Sequence, residues 1–179
     1  MVTIIFEAHG TTFDNEKDLK SDWFDDDLSE LGIKQSIELG ERYRDDLFDA
    51  IFCSDLKRAV STAELAFHDR GFMIIRDQRL RECNYGDLNR RPGVEVDPVK
   101  VLHIEKPFPN GESYEQTAVR MKNFLNNLLI NYEGKRVMII GHRATQYGLE
   151  HWILGLPLEE IVPAPWHWQP GWTYQLEKL

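Results

Sequence analysis

Two histidines follow apolar, strand-like segments near opposite ends of the chain. His9 comes after the run IIFEA and precedes Gly10, and His142 comes after VMII and Gly141. A neutral imidazole can act as a nucleophile or exchange a proton near neutral pH. Ligands of open parallel sheets bind beyond the carboxyl ends of the strands, so two histidines at two such ends can face one crevice. One such histidine alone would more simply be a buried, hydrogen-bonded residue, whereas the pair predicts a functional site.

Charged residues that suit an anionic ligand accompany these histidines. Arg58 falls in the first turn of a helix that follows the strand-like segment DAIFC, where free backbone N–H groups already favour an anion. Glu82 follows a third apolar segment and could act as a general acid if it is buried. Further cations lie close to these motifs: Lys57, Arg81, Arg90, Arg91 and Arg143. The combination predicts a site for a phosphate or carboxylate.

Alternating strands and helices must position these side chains. Continuous apolar runs predict buried strands, and apolar residues at helical spacing predict helices between them. Alternation of this kind predicts an α/β fold, a three-layer α/β/α sandwich around a mostly parallel sheet, in one domain spanning residues 1–179. The segment 86–111 has no periodicity and predicts a long loop or insertion over the site. The predicted strands are 2–7, 49–53, 72–76, 136–140 and 172–178, and the predicted helices cover about 30–48, 56–67, 114–131 and a segment starting near His142.

The overall charge and the cysteines limit the function classes. The formal net charge is −9, and such a surface repels phosphate backbones, so we expect no nucleic-acid partner. No segment has the length and apolarity of a membrane span, and the amino terminus lacks the pattern of a secretory signal. Two cysteines, Cys53 and Cys83, do not make a disulfide framework. We therefore expect a cytoplasmic protein with a small ligand and no membrane contact, and the sequence leaves the oligomeric state open.

Several motifs occur in a fixed order over nearly the whole chain. They are His9-Gly10 followed by Thr12 and Asn15, LSELGIKQ at 28–35, SDLKRAVSTA at 54–63, LRECNYG at 80–86, GES at 111–113, and His142. This ordered set resembles the histidine phosphatase superfamily, whose best-known members are the phosphoglycerate mutases. The resemblance implies a phosphoglycerate mutase-like fold and chemistry on a small phosphorylated substrate.

The resemblance also implies roles for individual residues. His9 would attack phosphorus and form a phosphohistidine, Arg58 and His142 would bind the phosphoryl oxygens, and Glu82 would protonate the leaving oxygen. Gly10, Thr12 and Asn15 would complete the phosphate-binding rim. It implies an acid-type histidine phosphatase that needs no metal ion and no cofactor, since arginine and histidine supply the positive charge. A zinc site built from His9, His142 and Glu7 is the weaker alternative, because these residues lack the close spacing typical of zinc ligands.

The chain departs from the superfamily pattern at the position before the nucleophile. The superfamily has arginine there, whereas this chain has Ala8. One charge-assisted hydrogen bond contributes about 1.5–3 kcal/mol, which corresponds to roughly one to two decades in rate. Arg143, where the superfamily usually has glycine, is our candidate for replacing the missing charge, and Arg81 is a weaker candidate. The prediction is a phosphatase whose activity Ala8 weakens.

Two other functions stay open at this point. A phosphoglycerate mutase would carry a basic pair after its acid, but here ECNYG at 82–86 has none, so hydrolysis ranks above transfer between sugar-acid positions. The loss of the arginine at Ala8 also allows a domain that binds a phosphorylated ligand without catalysis. The stretch PAPWHWQPGW at 163–172 is either an aromatic wall that stacks on a substrate ring or, as the sequence slightly favours, a rigid packed loop.

Overall fold

A computed structural model describes residues 1–179 and places every strand and helix of the chain. The apolar run at the amino terminus forms the first strand, and the remaining elements alternate as the sequence pattern predicts. The strands are β1 Val2–Ala8, β2 Leu19–Lys20, β3 Ala50–Cys53, β4 Ile74–Arg76, β5 Arg91–Pro92, β6 Arg136–Gly141 and β7 Trp172–Leu176. The helices are α1 Phe13–Glu16, α2 Glu30–Arg42, α3 Lys57–Phe67, α4 Gly93–Val96, α5 Tyr114–Asn131, α6 Arg143–Leu154 and α7 Leu158–Ile161, with short 3₁₀ turns between some of them.

Five strands form the central sheet in the order β4-β3-β6-β1-β7. Strands β4, β3, β6 and β1 are parallel, and only β7 runs antiparallel, paired with β1 at the edge. In the register of β1 and β6, Ala8 lies opposite Gly141. The carboxyl ends of these two neighbouring strands therefore lie side by side, directly before His9 and His142.

Helices cover both faces of the sheet, which confirms the predicted α/β class. One face packs against α5 and α6 through a cluster that includes Phe6, Ile139 and Phe124. The other face packs against α2 and α3 through a cluster that includes Ile5 and Ala63. Because successive side chains of a strand point to opposite faces, Ala8 lies on the Phe6 face and His9 on the Ile5 face.

Helix α2 is shorter than predicted. The apolar stripe indicated a helix to about residue 48, but the helix ends at Arg42 and Leu47 is exposed. The guanidinium of Arg70 donates to the carbonyl oxygens of Tyr43, Arg44 and Asp46 at 2.8, 2.6 and 3.1 Å. These bonds stabilise a turn where the sequence predicted a further helical turn. The apolar periodicity of residues 30–48 contains no information about a contact with Arg70.

The segment 86–111 contains more structure than the predicted loop. It includes a 3₁₀ turn at Gly86–Leu88, β5, α4 and a further 3₁₀ helix at Asp97–His103. Strand β5 pairs with β2, and Phe108 is buried in a third apolar cluster with residues of α5, α6 and α7.

None of the helices in the structure combines the length and the apolar character that a membrane crossing would require.

Candidate active site

The two sequence-predicted histidines lie together at the carboxyl edge of the sheet. Their ring centroids are 5.0 Å apart, and the His9 backbone N–H donates to the Gly141 carbonyl at 3.1 Å. This proximity follows from the pairing of β1 with β6, since each histidine directly follows its strand. The structure thus brings together two imidazoles that are separated by more than a hundred residues of sequence.

The His9 imidazole has one nitrogen fixed by the backbone and one available for chemistry. Its Nδ1 lies 2.7 Å from the Gly10 carbonyl oxygen, so Nδ1 carries the proton and Nε2 keeps its lone pair. Burial and the nearby Arg58 guanidinium lower the pKa of His9 from 6.5 to about 3. The ring is therefore neutral at physiological pH, as a nucleophilic nitrogen must be.

Arg58 contacts the His9 ring directly and is buried. Its Nε lies 3.3 Å from His9 Nε2, and its terminal nitrogens donate to the carbonyl oxygens of Phe24 at 3.0 Å and Asp22 at 2.7 Å. The residue sits in the first turn of α3, as predicted, but its guanidinium is oriented by a loop before α2. Neutral carbonyl partners hold the group in place without cancelling its charge.

His142 presents an unpartnered ring nitrogen inside the site. Its Nε2 lies 2.6 Å from the Ser54 hydroxyl oxygen, while its buried Nδ1 has no hydrogen-bond partner. Burial lowers the pKa of His142 well below its usual range, and the charge of Arg58 acts in the same direction. With the Ser54 hydroxyl donating to Nε2, the neutral ring carries its proton on Nδ1. That N–H is a free donor for an anionic oxygen.

Glu82 follows β4 in the chain, lies beside the start of α6 and is almost fully buried. Its Oε1 accepts from the backbone N–H groups of Cys83 at 2.8 Å and Ala144 at 3.2 Å. Its Oε2 makes only a long contact of 3.4 Å, to the Ala144 N–H. The carboxyl group is thus fixed beside His142 with one oxygen largely free.

Gly10 and its neighbours shape the floor of the site. The Gly10 N–H donates to the Thr62 hydroxyl at 2.9 Å, and a Cβ at Gly10 would lie 2.6 Å from the Gly32 carbonyl oxygen. Thr12 and Asn15 cap α1 reciprocally: the Thr12 hydroxyl accepts from the Asn15 backbone N–H, and Asn15 Oδ1 accepts from the Thr12 backbone N–H. Thr12 and Asn15 were predicted to line the rim, but the atoms that form this cap stabilise the start of α1.

The two candidate replacement cations point elsewhere. Arg81 forms a bidentate ion pair with Asp55 at 2.6–2.7 Å. Arg143 donates to Gln146 Oε1 at 3.0 Å, and its guanidinium lies 4.4 Å from the centroid of the Tyr147 ring. Neither arginine hydrogen-bonds to an imidazole, although the buried Nε of Arg143 has no partner.

Sequence reasoning missed the loop that contains Ser21, Asp22 and Phe24. Its carbonyls orient Arg58, and the buried Asp22 carboxylate accepts from the Tyr85 N–H at 2.7 Å, which ties the loop to the segment after Glu82. The dense acidic and aromatic run SDWFDDD was the available signal.

The structure does not support the zinc alternative. The carboxylate of Glu7, its third ligand, is bound by Arg42 and the Tyr43 hydroxyl. No group of three His, Cys, Asp or Glu side chains is arranged to hold a metal ion.

Comparison with known proteins gives matches over most of the chain. The family model described as histidine phosphatase superfamily (branch 1) matches residues 4–170. A 2,3-bisphosphoglycerate-dependent phosphoglycerate mutase of Allorhizobium ampelinum is 32% identical over 158 residues, which cover 78% of this chain and 74% of that protein.

Solved structures agree with these matches. YhfR of Bacillus stearothermophilus superposes with a TM-score of 0.83 at 26% identity, covering 95% of this chain and 88% of that one. The alpha-ribazole phosphatase of Shigella flexneri superposes with a TM-score of 0.78 at 26% identity, covering 89% and 83%. The fold, the paired histidines and the match over residues 4–170 lead to one conclusion: the chain belongs to the histidine phosphatase superfamily.

Proposed function

We propose that this protein hydrolyses a small phosphomonoester through a phosphohistidine intermediate on His9. The observation that carries the proposal is the neutral His9 ring, whose Nε2 lies 3.3 Å from the buried Arg58 Nε and whose centroid lies 5.0 Å from that of His142, a ring with an unpartnered Nδ1. A nucleophile, two donors for phosphoryl oxygens and a carboxyl group at Glu82 make up the parts that such a reaction needs.

The reaction proceeds in two displacements. His9 Nε2 attacks phosphorus, the N–P bond forms, the P–O bond to the alcohol breaks, and Glu82 gives its proton to the leaving oxygen. A water molecule then attacks the phosphohistidine, Glu82 takes a proton from it, and the N–P bond breaks to release phosphate. Arg58 and His142 donate to the phosphoryl oxygens in both steps, where negative charge develops. Without substrate, the Arg58 Nε–H donates to His9 Nε2. When a phosphoryl group is bound, this N–H donates to a phosphoryl oxygen instead.

Gly10 and Thr12 shape the rim of this site through their structural hydrogen bonds, Asn15 adds its side-chain amide N–H₂, which the cap leaves unused, and Arg143 replaces part of the charge that is lost at Ala8. Residue 143 directly follows His142, and its buried Nε has no partner, so rotation of the side chain would offer a charged donor to the substrate. Arg81 is the weaker candidate because Asp55 already binds both of its donor nitrogens. Arg143→Ala should reduce kcat/KM for phosphate esters by about tenfold and weaken inhibition by vanadate. Unchanged values for both would disprove the compensation.

Phosphoglycerate mutase activity is the second candidate, and the relative from Allorhizobium ampelinum supports it. The stretch Glu82–Gly86 argues against it because it lacks a basic pair for the carboxylate of a phosphoglycerate. Incubation with 3-phosphoglycerate separates the two reactions, since hydrolysis releases free phosphate and mutase activity produces the 2-isomer. A panel of phosphate esters, run beside His9→Ala, tests the hydrolase. No turnover by the wild type on any ester would favour a domain that only binds phosphorylated ligands.

We further propose that the enzyme works without a metal ion or cofactor and in the cytoplasm, with no nucleic-acid or membrane partner. Arg58 and His142 provide the donors that a metal would otherwise supply, and turnover should therefore persist in the presence of a chelator. The free, buried Cys53 and Cys83 support a reducing compartment.

A further inference from the structure

The segment 163–171, here called the tryptophan-rich loop, lies at the same edge of the sheet as the histidines. It precedes β7, and β7 runs antiparallel to β1 with Trp172 opposite Phe6. Residues before Trp172 therefore continue past the carboxyl end of β1, toward the level of Ala8 and His9. This register places the loop at the carboxyl edge of the sheet, where the proposed active site also lies.

Trp166 is held in a fixed orientation within this loop and is still accessible. Its indole N–H donates to Gln146 Oε1 at 2.9 Å, and its ring stacks on Trp172 with centroids 6.0 Å apart and planes 25° apart. Trp172 in turn packs against Phe6, two residues before Ala8 on the same face. Trp166 nevertheless remains 41% exposed. A large aromatic ring that is rigid and exposed is well suited to stacking on a planar partner.

Gln146 connects this indole to the catalytic edge of α6. Its side-chain oxygen accepts from Trp166 and also from Arg143, which directly follows His142. Gln146 is itself buried, and its own N–H also binds the His142 carbonyl as the first turn of α6 closes. Two hydrogen bonds thus link the indole to the residue beside His142.

The other end of the tryptophan-rich loop is fixed to α2 and β1. The buried Glu7 carboxylate accepts from the Tyr43 hydroxyl at 2.8 Å and from Arg42 at 3.1 Å. Gly171 lies against this group at a φ of +74°, and a Cβ there would collide with the Tyr43 hydroxyl. The loop is therefore held at Trp166 and again at Gly171.

The three exposed tryptophans differ in what faces their rings. Arg81 lies 4.7 Å from the ring centroid of Trp23, and Arg42 lies 5.8 Å from that of Trp168. Trp166 has no such cation, and its stacking partner Trp172 leaves part of its surface open. Trp166 is thus the one of these exposed rings with no arginine over it and with a hydrogen bond to α6.

We propose that Trp166 forms the leaving-group subsite of this enzyme and takes the planar aromatic or heteroaromatic ring of a phosphomonoester. The inference rests on the proposed hydrolase function and names its substrate class. His9, Arg58 and His142 surround the phosphoryl group, so the alcohol portion of the ester must extend toward the rim. On the α6 and β7 side, that rim is the tryptophan-rich loop.

The test compares two ligands with the same linker and phosphonate group, one with a planar aromatic ring and one with a saturated ring. Calorimetry measures binding of phenethylphosphonate and cyclohexylethylphosphonate, which cannot be hydrolysed, and kcat/KM is measured for the matching phosphate esters. The wild type should prefer the aromatic member by about two- to tenfold, the size of one aromatic contact. Trp166→Leu should bring both ratios close to one, Trp166→Phe should restore part of the preference, and Trp168→Leu should leave it unchanged.

Each outcome separates this inference from the proposed function. Equal ratios in the wild type and Trp166→Leu, or failure of both phosphonates to bind, would overturn the subsite. Binding with the expected preference but without ester hydrolysis would support the subsite and overturn the hydrolase. A comparison of a nucleoside monophosphate with ribose phosphate then tests whether the ring is a nucleobase. If Trp166 recognises a base, the nucleotide should bind more tightly than ribose phosphate, and Trp166→Leu should remove the difference.

Discussion

Replacing Arg58 should affect catalysis and stability through different atoms. Arg58→Met removes the charge but keeps much of the apolar stem, and Arg58→Lys keeps the charge but loses the planar fork. Neither side chain can donate to the carbonyls of Asp22 and Phe24 together while also facing His9, as Arg58 does at 2.7, 3.0 and 3.3 Å. Both variants should therefore release the loop that contains Asp22 and Phe24.

The stability cost follows from those two carbonyls. A hydrogen bond to a charged donor contributes about 1.5–3 kcal/mol, and we expect each variant to lose the equivalent of one such bond, because a lysine or a water molecule can replace the other. For a chain of this size, 1 kcal/mol shifts Tm by about 2–4 °C, so Tm should fall by about 3–12 °C in both variants. Differential scanning calorimetry measures this.

The catalytic cost should separate the two variants. Loss of one donor to developing charge typically reduces kcat by about 10²–10³, which we expect for Arg58→Met. Arg58→Lys should lose less, because an ammonium still attracts the phosphoryl oxygens. The pKa of His9 should rise in Arg58→Met, since the Arg58 charge contributes to its depression after burial, and NMR of the imidazole can follow it. If Arg58→Met kept kcat within about threefold of the wild type, or if Tm did not change in either variant, the assigned role of Arg58 would be wrong.

Two further predictions concern His9 and the glycine beside it. Because the pKa of His9 is about 3 when folded and 6.5 in its ordinary state, the unfolded chain binds the extra proton between these values. Stability should therefore fall as pH decreases from 6.5 toward 3, and urea unfolding should show a weaker dependence in His9→Asn; equal slopes would contradict the burial of a neutral His9. Gly10→Ala places a methyl group 2.6 Å from the Gly32 carbonyl oxygen and should lower the free energy of unfolding by about 1–3 kcal/mol, whereas an unchanged denaturation midpoint would show that the backbone there can move freely.

The sequence predicted the elements whose signals are local. The continuous apolar runs before His9 and His142 each predicted a buried strand of a mostly parallel sheet, and Arg58 lay in the first turn of α3 as its position indicated. The capping box at Ser113 and Gln116 began α5 as predicted. In each case the sequence signal lies within a few residues of the element that it predicts, whereas the pairing of β1 with β6 joins segments far apart in the chain.

The remaining features depend on contacts between distant segments. The early end of α2 is associated with Arg70, more than twenty residues later. The loop carbonyls that orient Arg58 could not be read from residue types, because any residue supplies a carbonyl. The direction of Arg143 depends on Gln146 and Tyr147, since an arginine side chain has several torsions that only its neighbours fix.

The central claim is that His9 becomes phosphorylated during turnover. Mass spectrometry after brief mixing with an aryl phosphate, quenched under alkaline conditions that preserve phosphohistidine, tests it most directly. We expect a single phosphoryl group on His9 that disappears as substrate is exhausted and is absent in His9→Ala. Undiminished phosphate release by His9→Ala, or a phosphoryl group on another residue, would contradict it.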